Sequence, residues 1–161
     1  MDWVLTEPPA RERFRVALLL RDLVVQVHAA GAIFHDLKLE NVGLRPDGGL
    51  QLVDLNAVSL GAWDGQGGTW YAPGEWVAAQ SGVAYDHVRH GDCFRMAVAL
   101  LGLMCGTSVP HLSCGPRGGY EIDYPSIGRH LPSGDLGDLL HHMFTVTTDW
   151  YSHPWWEHAE K

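Results

Sequence analysis

The chain has 161 residues, 46% of them apolar, and a formal charge of −8 with histidine neutral. That is one domain's worth of sequence, residues 1–161, long enough to bury about two thirds of the surface of its unfolded state. The acidic balance and the lack of any Lys/Arg cluster argue against a nucleic-acid surface or an anionic membrane as partner.

Taken in order, Thr6-Glu7-Pro8-Pro9 leads into a helix, since proline is tolerated where backbone N–H groups have no intrahelical partner. From Arg11 to Ala30 the apolar positions Val16, Leu20, Leu23 and Val27, with Leu19 and Val24 beside them, recur at helical spacing. Arg11, Arg13, Arg15 and Arg21 then form a solvated face. Gly31 is expected to stop the helix in a left-handed conformation. Beyond a polar loop, Val42-Gly43-Leu44 and Leu50-Gln51-Leu52-Val53 flank Pro46-Asp47-Gly48-Gly49, which predicts a hairpin because proline presets φ and glycine supplies φ > 0.

From Ala57 to Gly74 the composition shifts to Gly, Trp, Asp and Ser, and no regular element is expected. Ser59 and Thr69 are hydroxyls that a kinase could modify, though the simpler reading is that they are solvated. Asp92 reads as the N-cap of a helix containing Met96 to Cys105. The span from Pro110 to Pro132 reads as loop-rich and is otherwise uninformative, and Leu136 to Phe144 reads as a further helix. Three cysteines without C-x-x-C predict reduced thiols. With no basic-then-apolar leader and no apolar run of bilayer length, an intracellular, cytoplasmic chain without a membrane span is expected.

The polar loop carries the chemistry. Asp36, Lys38 and Asn41 stand close together, and Asp54 follows at the exit of the hairpin. Phosphoryl transfer needs a group to orient the attacking hydroxyl and oxygen ligands for the Mg²⁺ that neutralises phosphate charge. Asp36 suits the first task, and Asn41 with Asp54 the second. Lys38 can offset charge on the transferred group. Taken singly, each of these residues would be a turn former or a solvated charge.

The segment Val27-His28-Ala29-Ala30-Gly31-Ala32-Ile33-Phe34-His35-Asp36-Leu37-Lys38-Leu39-Glu40-Asn41 resembles the helix-to-catalytic-loop passage of eukaryotic-type protein kinases, with Lys38 of the serine/threonine type. Four further matches follow in order. Asp54-Leu55-Asn56 resembles the magnesium-binding D-F-G, and Gly68-Thr69-Trp70-Tyr71-Ala72-Pro73-Gly74-Glu75 the end of the activation segment. Asp92-Cys93-Phe94-Arg95-Met96-Ala97-Val98 resembles the buried D-x-W-S-x-G-V helix, and His153-Pro154-Trp155-Trp156 the H-P-W-F motif. The resemblance implies a mainly α, kinase-like C-lobe with a small β-hairpin beside the catalytic loop. It also implies ATP and Mg²⁺ as cofactors, a protein substrate, Asp36 and Lys38 as catalytic residues, and Asn41 and Asp54 as metal and nucleotide ligands. It further implies that Asp92 holds the backbone of the catalytic loop.

Several positions depart from the pattern. Phe34 and His35 stand for the H-R of H-R-D, Asn56 for the last glycine of D-F-G, Gly43 for a side chain beneath the adenine, and Gly74 interrupts A-P-E. No arginine between Leu136 and Ser152 is available to pair with Glu75. Met1-Asp2-Trp3-Val4 resembles the hinge between kinase lobes, so the resemblance implies a C-lobe alone, and the Gly-rich loop, the strand lysine and their partner helix of the N-lobe are expected to have no counterpart in these 161 residues. The expectation is a serine/threonine protein kinase-like domain with weak or no turnover as an isolated chain. The alternative is a non-catalytic pseudokinase or scaffold that binds a partner protein. A zinc site from His87, His90, Cys93, Cys105, His111 and Cys114 is a weaker reading, because structural zinc favours tighter ligand pairs. The tryptophans are expected in the core.

Overall fold

The computed structural model describes residues 8–54, 58–60, 85–105, 112–114, 120–122, 131–145 and 149–160. The hinge-like segment 1–4, Leu55 and Asn56, and the stretch from Gly68 to Glu75 lie outside them, as do the side chains of His87, His90, His111 and Cys114. The described residues are mainly α, with three two-stranded antiparallel ladders.

Helix α1 runs from Ala10 to Ala29. Pro9 precedes it in an extended conformation, and its carbonyl accepts from the N–H groups of Glu12 and Arg13 at 2.9 and 3.1 Å, so the first turn closes without a side-chain cap. The buried positions are Val16, Ala17, Leu20, Val24 and His28, a stripe at mostly four-residue steps. Leu23 and Val27 pack at its edge. Gly31 has φ 76°, the left-handed geometry expected of it.

The arginines do not form a merely solvated face. Arg15 donates to the carbonyl of Gly48 at 2.7 Å, tying α1 to the hairpin turn, and Arg21 lies over the ring of Trp156 at 5.3 Å. Long arginine stems can cover apolar surface while the guanidinium finds a specific acceptor or ring face, and helical spacing alone does not reveal this.

After the short strand β1 (Ala32–Ile33) and a 3₁₀ turn (Leu39–Asn41), the hairpin forms from β2 (Val42–Leu44) and β3 (Leu50–Leu52). Its register pairs Val42 with Leu52, Gly43 with Gln51 and Leu44 with Leu50. Gly48 has φ 84°, and the Asp47 carboxylate accepts from the Gly49 N–H at 2.9 Å, the turn chemistry that Pro-Asp-Gly-Gly encodes.

Two readings are corrected at the next elements. Strand β4 (Ser59–Leu60) lies in a stretch read as irregular, and it pairs with β1, Ile33 opposite Ser59. Strands β5 (Leu112–Cys114) and β6 (Tyr120–Ile122) likewise pair within a span read as loop. Ladders of two or three residues are too short to announce themselves by alternation.

Helix α2 spans Tyr85–Cys105, and Asp92 does not open it. Asp92 lies inside the helix, within a stretch where every residue from 91 to 100 is buried. A helical stretch buried on all sides belongs in the middle of a fold, and α2 packs against both α1 and α3 (Asp135–Thr145). Met96, Leu100 and Leu103 are fully buried, as are Leu139, Leu140 and Met143 of α3. Each such side chain contributes about 1.5–3 kcal/mol of burial free energy. Phe94 and Phe144 meet edge-on at 5.3 Å between centroids. Two 3₁₀ segments, Trp150–Ser152 and Pro154–Glu160, close the described chain over α1 and α3. Trp150, Trp155 and Trp156 are buried there, and the Trp156 indole donates to the carbonyl of Trp150 at 2.8 Å, so these tryptophans are core.

Candidate functional site

The loop between β1 and β2 is held from beneath by one carboxylate. Oδ2 of Asp92 accepts from the Phe34 N–H at 2.7 Å and from His28 Nε2 at 3.0 Å, while Oδ1 accepts from the His35 N–H at 3.1 Å and from Arg95 at 3.2 Å. Asp92 is fully buried, with His28 and Arg95 also in the interior. Burial pushes its carboxyl up, but the His28 hydrogen bond, the Arg95 charge and the Phe34 N–H outweigh it and hold the group below the usual carboxylate range. A charge this deep is stable only with partners of this kind. Burial also pulls the Arg95 guanidinium below the usual arginine range, against the opposing charges of Asp92 and Asp36.

Asp92 fixes an unusual backbone. His35 has φ 59°, a region that a residue with a Cβ seldom enters, and its N–H is one of the two that Asp92 holds. Phe34 packs in the core, and the His35 ring is buried with Nε2 hydrogen-bonded to the hydroxyl of Ser59. Ser59 is therefore not simply solvated.

On this base the polar residues converge. Lys38 donates to Oδ2 of Asp36 at 2.8 Å. The Asn41 amide donates to the same Oδ2 at 2.9 Å and to the Asp36 carbonyl at 3.0 Å. Asn41 is buried, whereas Asp36 and Lys38 are partly exposed. The carbonyl of Asn41 accepts from the Val53 N–H at 3.1 Å, which fixes the exit of the hairpin, and with it exposed Asp54, to the same turn.

The hydrogen bond that Lys38 donates to Asp36 raises the lysine above its usual value. Burial opposes the shift, and the charges of Asp36, Glu40 and Asp54 add to it. Lys38 thus feels Asp36 and Glu40 before the hairpin and Asp54 after it. Asn41 and Asp54 offer oxygen donors of the kind Mg²⁺ prefers, and the Asn41 amide nitrogen is already turned to Asp36, so the donor set fits a hard divalent ion.

Among the described residues no group of three or more His, Cys, Asp or Glu side chains is arranged to hold a metal. Cys93 of the histidine–cysteine set donates its thiol to the Met143 carbonyl at 3.4 Å. None of the described helices is long and apolar enough to cross a membrane.

The contacts of His28 with Asp92 and of Ser59 with His35 are not foreseen from the sequence. His28 lies within the segment that resembles the helix-to-catalytic-loop passage without a role assigned to it, although its place at a four-residue step from Val24, on the buried stripe, marks it as an interior polar group that needs a partner. No model of a known protein family matches the chain, and no curated protein matches it. What the described residues define is a mainly helical chain with a polar loop clamped to a buried carboxylate.

Proposed function

We propose that the chain is a kinase-like C-lobe of the serine/threonine type, acting on ATP and a protein hydroxyl. The observation that carries the reading is the convergence on one loop of Asp36, Lys38 and Asn41, linked at 2.8–2.9 Å, with Asp54 tied to the same turn through the bond from the Val53 N–H to the Asn41 carbonyl. Asp36 orients the attacking hydroxyl and takes its proton. Lys38 lies beside Asp36 and offsets charge developing on the transferred group. Asn41 and Asp54 would hold Mg²⁺, which when bound supplies neutralisation of phosphate charge. Asp92, through the Phe34 and His35 N–H groups, sets the loop geometry on which these side chains depend.

The test is calorimetric titration of the parent chain and of Asp54→Ala with Mg²⁺-ATP. Binding by the parent and at least tenfold weaker binding by the variant are expected. A parent that takes up no Mg²⁺-ATP would remove the catalytic reading for this chain.

A second reading has its own observation. Oδ2 of Asp36 accepts from both Lys38 and the Asn41 amide, so one of the two oxygens a catalytic base could use is already engaged within the loop. A non-catalytic scaffold that binds a partner protein would retain that closed arrangement. Nucleotide binding without any transfer of radiolabelled phosphate to a general protein acceptor would favour the scaffold.

A further inference from the structure

Strand β4 follows Asp54 closely and is attached to β1 by only two ladder positions. So short a ladder has little intrinsic stability, and its register should be weakly determined. The apolar pattern should even oppose the observed register: Leu60 is 79% exposed and Val58 36% exposed, while the hydroxyl-bearing Ser59 between them turns inward. A slip of one residue would bury the two hydrophobic side chains and expose Ser59. Something other than hydrophobic burial therefore selects the register.

We propose that the Ser59–His35 hydrogen bond is a positioning latch. Ser59 stands opposite Ile33 in the ladder, and its hydroxyl meets the imidazole two residues further on. That imidazole is immobile: the ring is buried, and the His35 N–H is gripped by Asp92. The latch fastens the chain downstream of Asp54 to the residue next to Asp36, just as the Val53 N–H to Asn41 bond fastens it upstream. Asp54 thus stands between two attachments, the Val53 N–H on one side and Ser59 on the other. The consequence for Mg²⁺-ATP rests on the function proposed above; the register claim does not.

The full chain with Ser59→Ala and with Ser59→Thr tests this by amide hydrogen exchange at Ala32, Ile33, Val58, Ser59 and Leu60, with Leu100 in α2 as reference. Loss of one net hydrogen bond predicts about fivefold faster exchange in Ser59→Ala. Ser59→Thr, which keeps the hydroxyl, should restore the parent rate, and the ¹⁵N shift of His35 Nε2 should move in the alanine variant alone. Mg²⁺-ATP affinity should fall by a similar factor in Ser59→Ala. Unchanged exchange in Ser59→Ala, equal acceleration in both variants, or acceleration at Leu100 to the same degree would each overturn the latch. If the parent binds no Mg²⁺-ATP, the proposed function fails, while exchange and the ring shift still decide the latch.

Discussion

Replacing Asp92 by asparagine is the sharpest perturbation available, because the change is nearly isosteric and acts on four contacts at once. Asparagine keeps one oxygen and puts an amide where the other stood, so whichever way the side chain turns, two donors face a donor. Either the Phe34 N–H and His28 pair or the His35 N–H and Arg95 pair loses its acceptor. Arg95 would also keep a buried charge without its hydrogen-bonded carboxylate, and breaking a buried pair in this way costs about 3–5 kcal/mol. Urea unfolding of Asp92→Asn should show a midpoint lowered by that free energy at an unchanged slope. Because the native carboxyl lies below its ordinary value of 3.8, its contribution is fully present above that pH and is lost as pH falls through the native value. The parent should therefore show a segment of acid destabilisation below pH 3.8 that the variant lacks. A loss under about 1 kcal/mol would refute the reasoning, since it would mean that Asp92 neither compensates Arg95 nor holds the loop.

Other substitutions probe the frame around that hub. At Gly137 a Cβ would run into the backbone carbonyl of Pro132, so Gly137→Ala should destabilise by about 1–3 kcal/mol in thermal melts although alanine favours a helix; a stabilised variant would contradict the packing. A Cβ at Gly31 meets nothing within 4 Å, and only its φ of 76° resists substitution, so Gly31→Ala should cost about 1–2 kcal/mol by chemical denaturation. Arg15→Ala removes the bond to the Gly48 carbonyl and should speed amide exchange at Gly48 and Gly49 about fivefold, with α2 unaffected. Lys38 has a raised native value, so its contribution persists below the ordinary 10.5 and fades as pH rises through the native value. Alkaline titration of Lys38→Met should lack that loss.

The hairpin was the most legible element, since Pro-Asp-Gly-Gly encodes its turn locally and the structure reproduces its strands to within one residue. Helix α1 and its left-handed stop at Gly31 were readable for the same reason, and α3 appears within a residue of its predicted ends. Helix α2 was readable only as an apolar run, and its start was misplaced because an aspartate before hydrophobic residues looks like a cap. Asp92 serves a segment far away in sequence; its immediate neighbours do not reveal that use, which only the resemblance of the stretch from Asp92 to Val98 to a buried helix implies, and its bonds to the Phe34 and His35 N–H groups agree with it. Asp36, Lys38 and Asn41 were legible as a group through their spacing, and the hydrogen bonds among them agree with that grouping. The contacts of His28, Ser59 and Arg15 arise from tertiary packing and were not legible.

Asp92 grips the main chain of the loop and touches no side chain at 34 or 35 through its bonds to that segment. Recognition of this kind is indifferent to which amino acids occupy those two positions, provided that the backbone can take up the required shape. An aromatic ring and an imidazole can thus sit there without loosening the attachment. Substitutions at 34 and 35 become a route for altering what surrounds the loop while its path through space stays the same.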